Sequence, residues 1–267
     1  MAPPAPKPGM AFVVYIGKYV RGNEIGGKGF GMSRTEAVLR VELAHAGYAG
    51  REAAVRDVRF SVGAGETVGL IGPNGAGKST TLKAIIGLID AAQGAAEFCG
   101  PRGTYAYVPE QPVFHEDLTL WEHICFAAAA HGLDEAEALA RAERLLEKFR
   151  MTDAAHRLPG SFSKGMQQKM MLTLGYLLEP DVYIVDEPFL GLDPRAVRDL
   201  LALFAEERRR GAGVLLCTHV LDTAEKICDS FLLMNGGAIV ARGTLADIRA
   251  QAGLADGDLY DCFDALT

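Results

Sequence analysis

Short apolar runs recur along the chain, and each of them ends at a polar or glycine-rich segment. Three of these runs cover residues 67–71, 182–185 and 213–217. Continuous apolar runs of four to eight residues are typical of strands that are buried on both faces of a parallel sheet. The pattern therefore predicts a mostly parallel sheet at the core of an α/β fold.

Other segments predict a second β layer near the N-terminus. Residues 39–43 alternate apolar and polar side chains, and residues 55–62 repeat the pattern, with Tyr48 in the turn region between them. Such alternation is typical of antiparallel strands that are buried on one face. Residues 95–99 and 104–108 are predicted as short strands.

Helical periodicity fills most of the remaining chain. A helix is predicted over residues 82–88, after a glycine-rich loop. Residues 118–150 are predicted to form a helical insert with Asp134 as a candidate N-cap. A later helix opens within residues 161–169 and runs towards residue 178, and another covers residues 195–210. Near the C-terminus an apolar stripe with i, i+3, i+4, i+7 spacing predicts a helix that docks on the domain. The stripe consists of Leu259, Cys262, Phe263 and Leu266.

Composition narrows the classes of function. The 267 residues are 49% hydrophobic, which suits one large domain or a domain with a subdomain. A net charge of -7 argues against a dedicated nucleic-acid binder, because phosphate neutralisation needs clustered Lys and Arg. The five cysteines are odd in number and widely spaced, so we expect a reducing compartment. No apolar run approaches the roughly 18 residues that a membrane span needs.

The segment 72–80, Gly-Pro-Asn-Gly-Ala-Gly-Lys-Ser-Thr, fits the pattern G-x-x-x-x-G-K-[ST] between a predicted strand and a predicted helix. Its glycines are expected to take positive φ and to turn backbone N–H groups towards a phosphate, while Lys78 adds a point charge and the Ser79 hydroxyl can bind Mg²⁺. The whole segment is the candidate phosphate site: Gly72, Pro73, Asn74, Gly75, Ala76, Gly77, Lys78, Ser79 and Thr80.

Further polar residues follow predicted strands or begin a predicted helix. Asp186 and Glu187 end the run 182–185, which suggests a Mg²⁺ contact and a base for water. His219 follows the next buried run and is expected at the same edge of the sheet. Ser163 and Gly165 begin a helix, where they can either hold a second phosphate group or act only as a cap.

Two weaker candidates lie on loops. Glu110 and Gln111 stand between two prolines at a strand end, where residues of a site often lie. Tyr48 can stack on an adenine ring, although packing is the commoner role of a lone tyrosine.

Together these motifs resemble those of the ATP-binding cassette ATPases, over residues 38–242. In order, residues 72–80 resemble the Walker A motif of that family, 162–169 its signature, 182–187 its Walker B motif, 191–193 its D-loop, and His219 its switch histidine. The signature departs from the common LSGGQ at Lys164 and Met166, a variation of exporter-type bacterial subunits. The expected place of the Q-loop glutamine holds Glu110, with Gln111 beside it, so the assignment stays open between them.

The resemblance implies a P-loop ATPase domain over residues 36–245, with a helical subdomain at about 112–165 and a tail helix over 246–267. It implies ATP and Mg²⁺ as cofactors, with Asp186, Ser79 and Gln111 near the metal. Glu187 would polarise the attacking water, and His219 would sense the γ-phosphate. Either Glu110 or Gln111 would contact the metal and the attacking water. Ser163 and Gly165 would then contact ATP bound to a second cassette, identical or different, in a head-to-tail dimer. It also implies a cytoplasmic chain on the inner face of the cell membrane, bound to a separate multi-span permease and not to nucleic acid.

Residues 1–35 stand apart as an N-terminal extension. A disordered segment, an edge strand and a leader ahead of Met32 are the open alternatives.

The rival functions are a soluble cassette ATPase that acts on ribosomes or DNA, and a P-loop kinase or GTPase; the second leaves residues 163–169 and His219 unexplained.

Overall fold

The apolar runs form the central sheet of the structure, a computed structural model that describes residues 15–18, 37–48, 51–89 and 91–267. Within these residues the sheet has seven strands: β1 (Tyr15–Lys18), β4 (Thr67–Ile71), β6 (Thr104–Val108), β7 (Val182–Asp186), β8 (Gly213–Thr218), β9 (Ser230–Asn235) and β10 (Ala238–Gly243). Their order is β1-β6-β7-β8-β4-β9-β10, and the five central strands are parallel. The strands β1 and β10 pair antiparallel at the two edges.

A second sheet is antiparallel throughout. It has the order β3-β2-β5, from β2 (Ala37–Tyr48), β3 (Arg51–Gly63) and β5 (Ala91–Phe98). The predicted β layer is therefore confirmed, although Tyr48 is the last residue of β2 and not part of a free turn.

The described residues also form eight α-helices: α1 (Lys78–Ile85), α2 (Leu120–Ala130), α3 (Glu135–Phe149), α4 (Lys164–Leu177), α5 (Pro194–Arg210), α6 (Leu221–Ile227), α7 (Leu245–Ala252) and α8 (Leu259–Leu266). Helix α3 begins at the predicted cap, since the Asp134 side chain accepts a hydrogen bond from the Glu137 amide. The α/β class predicted from the sequence is confirmed.

Alternate residues of the central strands face two different cores. Tyr183 and Val185 point into a core formed with helices α2 to α5. Val182 and Ile184 point into a core formed with α1 and the antiparallel sheet. A period of two along each strand causes this division, so the strands must be apolar at every position.

The C-terminal segment differs from the single tail helix that we predicted over 246–267. Helix α7 ends at Ala252 and is capped by Gly253, which has a φ of 71°, and α8 begins at Leu259 with Asp258 as its N-cap. The left-handed backbone at glycine terminates the first helix. Leu259 and Cys262 are fully buried against α6 and α7, so the predicted docking of the apolar stripe is confirmed.

Residues 15–18 of the N-terminal extension pair with β6, as the edge-strand alternative predicts. The other residues of the extension, 1–14 and 19–35, lie outside the described residues.

A buried neutral histidine joins the start of the helical subdomain to the preceding loop. His123 is 1% exposed; its Nε2 accepts a hydrogen bond from the His115 amide at 3.0 Å, and its Nδ1 donates to the Thr119 carbonyl at 2.8 Å. Burial lowers the pKa of His123 below its ordinary value of 6.5. Protonation of Nε2 would turn the acceptor of the His115 amide into a second donor, so this bond exists only with the neutral ring.

We expect the stability of the protein to fall in acid, in part because of His123. A group whose folded-state pKa is lowered contributes stability above its unfolded pKa, and this contribution is lost as the pH falls through the folded value. The melting temperature should therefore decrease between about pH 7.5 and about pH 5.5, and by less in His123→Gln than in wild type. Equal decreases in both proteins would show that His123 does not titrate on unfolding.

Candidate active site

A cavity of about 370 Å³ lies where β4, β7 and β8 end. Ligands in open α/β sheets bind at the carboxyl ends of the strands, so the position agrees with the topology. The residues that line the cavity are Ala54, Asn74, Gly75, Gly77, Lys78, Ser79, Thr80, Glu110, Asp186, Glu187, Leu190 and His219.

Lys78 is held by the loop that precedes it. Its side chain is buried, and its Nζ donates hydrogen bonds to the carbonyl oxygens of Gly72, at 2.7 Å, and Pro73, at 3.2 Å. An ammonium group has three donors, so one remains for a ligand. Ala76 closes the loop, since its amide donates to the Pro73 carbonyl at 3.1 Å. The loop thus presents a fixed positive charge to the cavity.

The glycines of this loop serve two different purposes. Gly75 and Gly77 have φ of 83° and 104°, as predicted, and so take a conformation that favours glycine. Gly72 does not, and the expectation of positive φ is wrong there. A Cβ at Gly72 would lie 2.1 Å from the Met234 carbonyl oxygen, so close backbone packing against β9 requires the glycine.

Asp186 is a buried carboxylate with unused hydrogen-bonding capacity. It is 2% exposed, and its Oδ1 has no partner among the described residues. Burial raises the pKa of Asp186, while the hydrogen-bonding side chains of Cys217 and Ser79 oppose the increase. An unsatisfied buried oxygen next to a hydroxyl suits Mg²⁺, which prefers hard oxygen ligands. The site therefore fits the predicted metal.

Glu187 is held by three donors from the end of β8. Its Oε1 accepts from the His219 backbone N–H at 2.8 Å and from His219 Nδ1 at 2.6 Å. Its Oε2 accepts from the Thr218 hydroxyl at 3.0 Å. The predicted proximity of Glu187 and His219 is thus observed, and it fixes the orientation of the carboxylate.

The backbone at Glu187 is in a left-handed conformation, with a φ of 48°. Its N–H continues the sheet ladder by donating to the Cys217 carbonyl at 2.9 Å, and its own carbonyl accepts from Leu190 at 3.2 Å. A non-glycine residue at positive φ is strained by about 1–3 kcal/mol and needs support from its surroundings. Here the turn lifts the carboxylate away from β7 towards His219.

Ser163 and Gly165 lie outside the cavity, at the exposed start of α4. Ser163 caps the helix by accepting from the Met166 amide at 3.3 Å. A Cβ at Gly165 would lie 2.5 Å from the carbonyl oxygen of Gly191, so the start of α4 contacts the loop after β7 through backbone alone. Lys169 of α4 and Asp193 of the loop add an ion pair at 3.2 Å.

The two loop candidates separate. Glu110 lines the cavity, whereas Gln111 is exposed and is not among the lining residues. Tyr48 is 47% exposed and does not line the cavity either. The roles that we predicted for Gln111 and Tyr48 stay predictions.

Sequence reasoning missed three residues of the site. Ala54 and Leu190 line the cavity, and Thr218 contacts Glu187. The position of Thr218 directly before His219, at the end of an apolar run, was a usable signal because successive residues past a strand end share one edge of the sheet.

Comparisons with known proteins identify the family of the chain. A sequence model described as ABC transporter matches residues 55–190. Among curated proteins of Bacillus subtilis, the chain is 47% identical over 228 residues to the uncharacterized ABC transporter ATP-binding protein YthP, covering 85% of this chain and 95% of the relative. It is 44% identical to the ABC-type transporter ATP-binding protein EcsA, covering 86% of this chain and 97% of the relative.

A solved structure titled as the ATP-binding subunit of an ABC transporter matches with a TM-score of 0.81 and 47% identity, over 86% of this chain and 99% of that one. A structure of the ADP conformation of the cassette MJ1267 matches with a TM-score of 0.63 and 24% identity, over 79% and 92% of the two chains, which bears on the fold alone.

The packing of Gly72 against Met234 leads to a test. Gly72→Ala should lower the free energy of unfolding by about 3 kcal/mol or more, because the Met234 backbone would have to move. Gly75→Ala is the matched control: its Cβ meets nothing within 4 Å, so only the left-handed backbone should matter, at about 1–2 kcal/mol. Urea unfolding measures both, and equal losses would contradict the packing argument.

Proposed function

The chain belongs to the family of ABC transporter ATP-binding proteins, and we propose that it hydrolyses ATP to ADP and phosphate to drive a transporter. The observation that carries this proposal is the Glu187 carboxylate, which is oriented by three hydrogen bonds at the rim of a cavity that also holds Lys78. A phosphate loop alone would support only the binding of a nucleotide. A fixed carboxylate beside the loop can activate water, which supports hydrolysis of the bound nucleotide.

In the proposed reaction, a water oxygen attacks the γ-phosphorus and forms a new P–O bond. The bond between the γ-phosphorus and the bridging oxygen breaks, and ADP leaves with its electron pair. Glu187 accepts a hydrogen bond from the water and takes its proton, while Lys78 neutralises charge on the phosphates. His219, which is half-exposed beside Glu187, lines the same cavity and would contact the γ-phosphate.

Ser79 and Asp186 would hold Mg²⁺, which neutralises phosphate charge when it is bound. Among the described residues no group of three or more His, Cys, Asp or Glu side chains could hold a metal. Mg²⁺ usually keeps several water and phosphate ligands, so the oxygens of Ser79 and Asp186 would be the protein's contribution. Glu110 lines the same cavity and is the better placed of the two loop candidates.

We propose that two cassettes, identical or different, form a head-to-tail dimer. Ser163 is exposed at the start of α4, and neither Ser163 nor Gly165 lines the cavity of its own chain. A helix start with free N–H groups binds anions. In a head-to-tail pair, this helix start would face the nucleotide of the other cassette.

We propose a separate multi-span membrane protein as the partner, and a cytoplasmic location at the inner face of the cell membrane. No helix in the described part of this chain is long and apolar enough to cross a membrane. The helical subdomain exposes Val113 and Phe126, with 36% and 40% of their surface accessible, which suits a protein contact. The net charge of -7 disfavours the rival that acts on ribosomes or DNA.

Two substitutions should separate binding from hydrolysis. Lys78→Ala should weaken ATP binding roughly a hundredfold or more, because it removes charged hydrogen bonds to phosphate. Glu187→Gln should keep ATP binding and reduce kcat roughly a hundredfold or more, since it removes the base. Nucleotide titration and phosphate release measure the two effects.

A surface ion pair offers matched controls. Lys148 and Glu206 lie 2.7 Å apart outside the cavity, so Lys148→Ala and Glu206→Gln should bind and hydrolyse ATP like wild type. Hydrolysis by Glu187→Gln at the wild-type rate would refute the assignment of the base.

The partner can be tested with a second matched pair. Tagged protein from native membranes, extracted in mild detergent, should co-purify with a multi-span membrane protein, and Phe126→Asp should reduce its recovery without changing nucleotide affinity. Tyr260→Asp is the control, because Tyr260 is an exposed aromatic residue of α8, away from the helical subdomain. Recovery of ribosomal proteins or DNA instead would favour the rival function.

A further inference from the structure

Thr218 ends β8 with a fully buried hydroxyl that contacts the functional carboxylate. Its Oγ1 donates to Oε2 of Glu187 at 3.0 Å and accepts from the Val220 amide at 3.1 Å. The direction of the first bond follows from chemistry, since a carboxylate accepts only and the Val220 amide donates only. The single hydroxyl hydrogen therefore points at Glu187.

The three bonds to Glu187 leave its two oxygens unequal. A carboxylate offers about four lone-pair positions. Oε1 uses both of its positions for the two donors of His219, whereas Oε2 uses one for Thr218. By this count Oε2 keeps one unused lone-pair position, and Thr218 is the residue bonded to this oxygen.

Threonine is well suited to hold this oxygen. Its β-branch restricts χ1, so the hydroxyl has few orientations to choose from. The Val220 amide fixes it further. The bond also lies in a buried environment, where hydrogen bonds to charged groups contribute more than at the surface.

We propose that Thr218 is a positioning residue for hydrolysis, which sets the orientation of the Glu187 carboxylate so that Oε2 faces the attacking water. This inference rests on the proposed ATP hydrolysis. Thr218 touches neither nucleotide nor water in the proposal and acts through Glu187. Its removal should therefore lower kcat and leave nucleotide binding unchanged.

Thr218→Val keeps the shape and removes the hydroxyl, and we expect kcat to fall roughly tenfold or more with an unchanged KM for ATP. Thr218→Ser keeps the hydroxyl, and we expect a kcat within about threefold of wild type, since only the restriction of χ1 is lost. Thr104→Val is the matched control. The Thr104 hydroxyl lies 3.4 Å from the buried carboxylate of Asp181, at the start of β6 and therefore at the other end of the sheet.

A merely structural role predicts different results. It predicts a change in KM or stability that Thr104→Val would share, and an additional loss when Thr218→Val is combined with Glu187→Gln. Positioning through Glu187 predicts that the double variant is no slower than Glu187→Gln alone. A wild-type kcat in Thr218→Val, or an additive loss in the double variant, would overturn the proposal.

The tautomer of His219 can be measured without ATP hydrolysis, so it tests the positioning role of Thr218 independently of the proposed function. In wild type His219 Nδ1 donates to Glu187 Oε1 at 2.6 Å, which holds the hydrogen on Nδ1 in the neutral ring. Nitrogen NMR should show this single tautomer in wild type and in Thr104→Val, and tautomer averaging in Thr218→Val, where the carboxylate can rotate. An inactive wild type with that change would refute hydrolysis, while the orientation of the Glu187 carboxylate by Thr218 would still be supported. An unchanged His219 spectrum in Thr218→Val would refute positioning, whatever the activity.

Discussion

The buried carboxylate of Asp186 is the constraint on which the rest of the site depends. Burial disfavours the charged form of Asp186 and raises its pKa; hydrogen bonds from the side chains of Cys217 and Ser79 oppose this effect, and Oδ1 has no partner among the described residues. Asp186 is buried because it is the last residue of β7, a strand that is buried on both faces. A cation bound with nucleotide would compensate the carboxylate, so ligand binding would relieve an unfavourable interaction that the fold imposes.

Strand register brings the other functional groups to the same place. Asp186 pairs with Cys217 across the parallel strands β7 and β8, and the Glu187 amide bonds to the Cys217 carbonyl. The next two residues, Thr218 and His219, therefore lie opposite the Glu187 side chain. A shift of one residue in this register would turn the donors to the other face of the sheet. The geometry of the candidate active site at this edge of the sheet thus follows from the pairing of two apolar strands.

Much of this arrangement could be predicted from the sequence, and the exceptions have physical reasons. The runs that became β4, β6, β7 and β8 were found almost to the residue because strands buried on both faces are continuously apolar. The hairpin of β9 and β10 was missed, although Gly236 and Gly237 mark its turn. The need for glycine at residue 72 depends on a carbonyl 162 positions away, and the contact of the Thr218 hydroxyl depends on the rotamer of Glu187, which lies in the turn after β7. Such contacts join residues that are far apart in the sequence, so no local sequence pattern predicts them.

Close packing connects the start of α4 to the loop beside the candidate active site. Gly165 and Gly191 meet with no room for a side chain, and Lys169 pairs with Asp193, whose carboxylate also caps α5. Hydrogen bonds from the Ala196 amide and Lys169 lower the pKa of Asp193 to about 2, so the cap stays charged at neutral pH. Backbone packed this closely cannot slide independently. If a second cassette binds at the start of α4, as proposed, these contacts would transmit a force on that helix start to the loop that begins at Glu187.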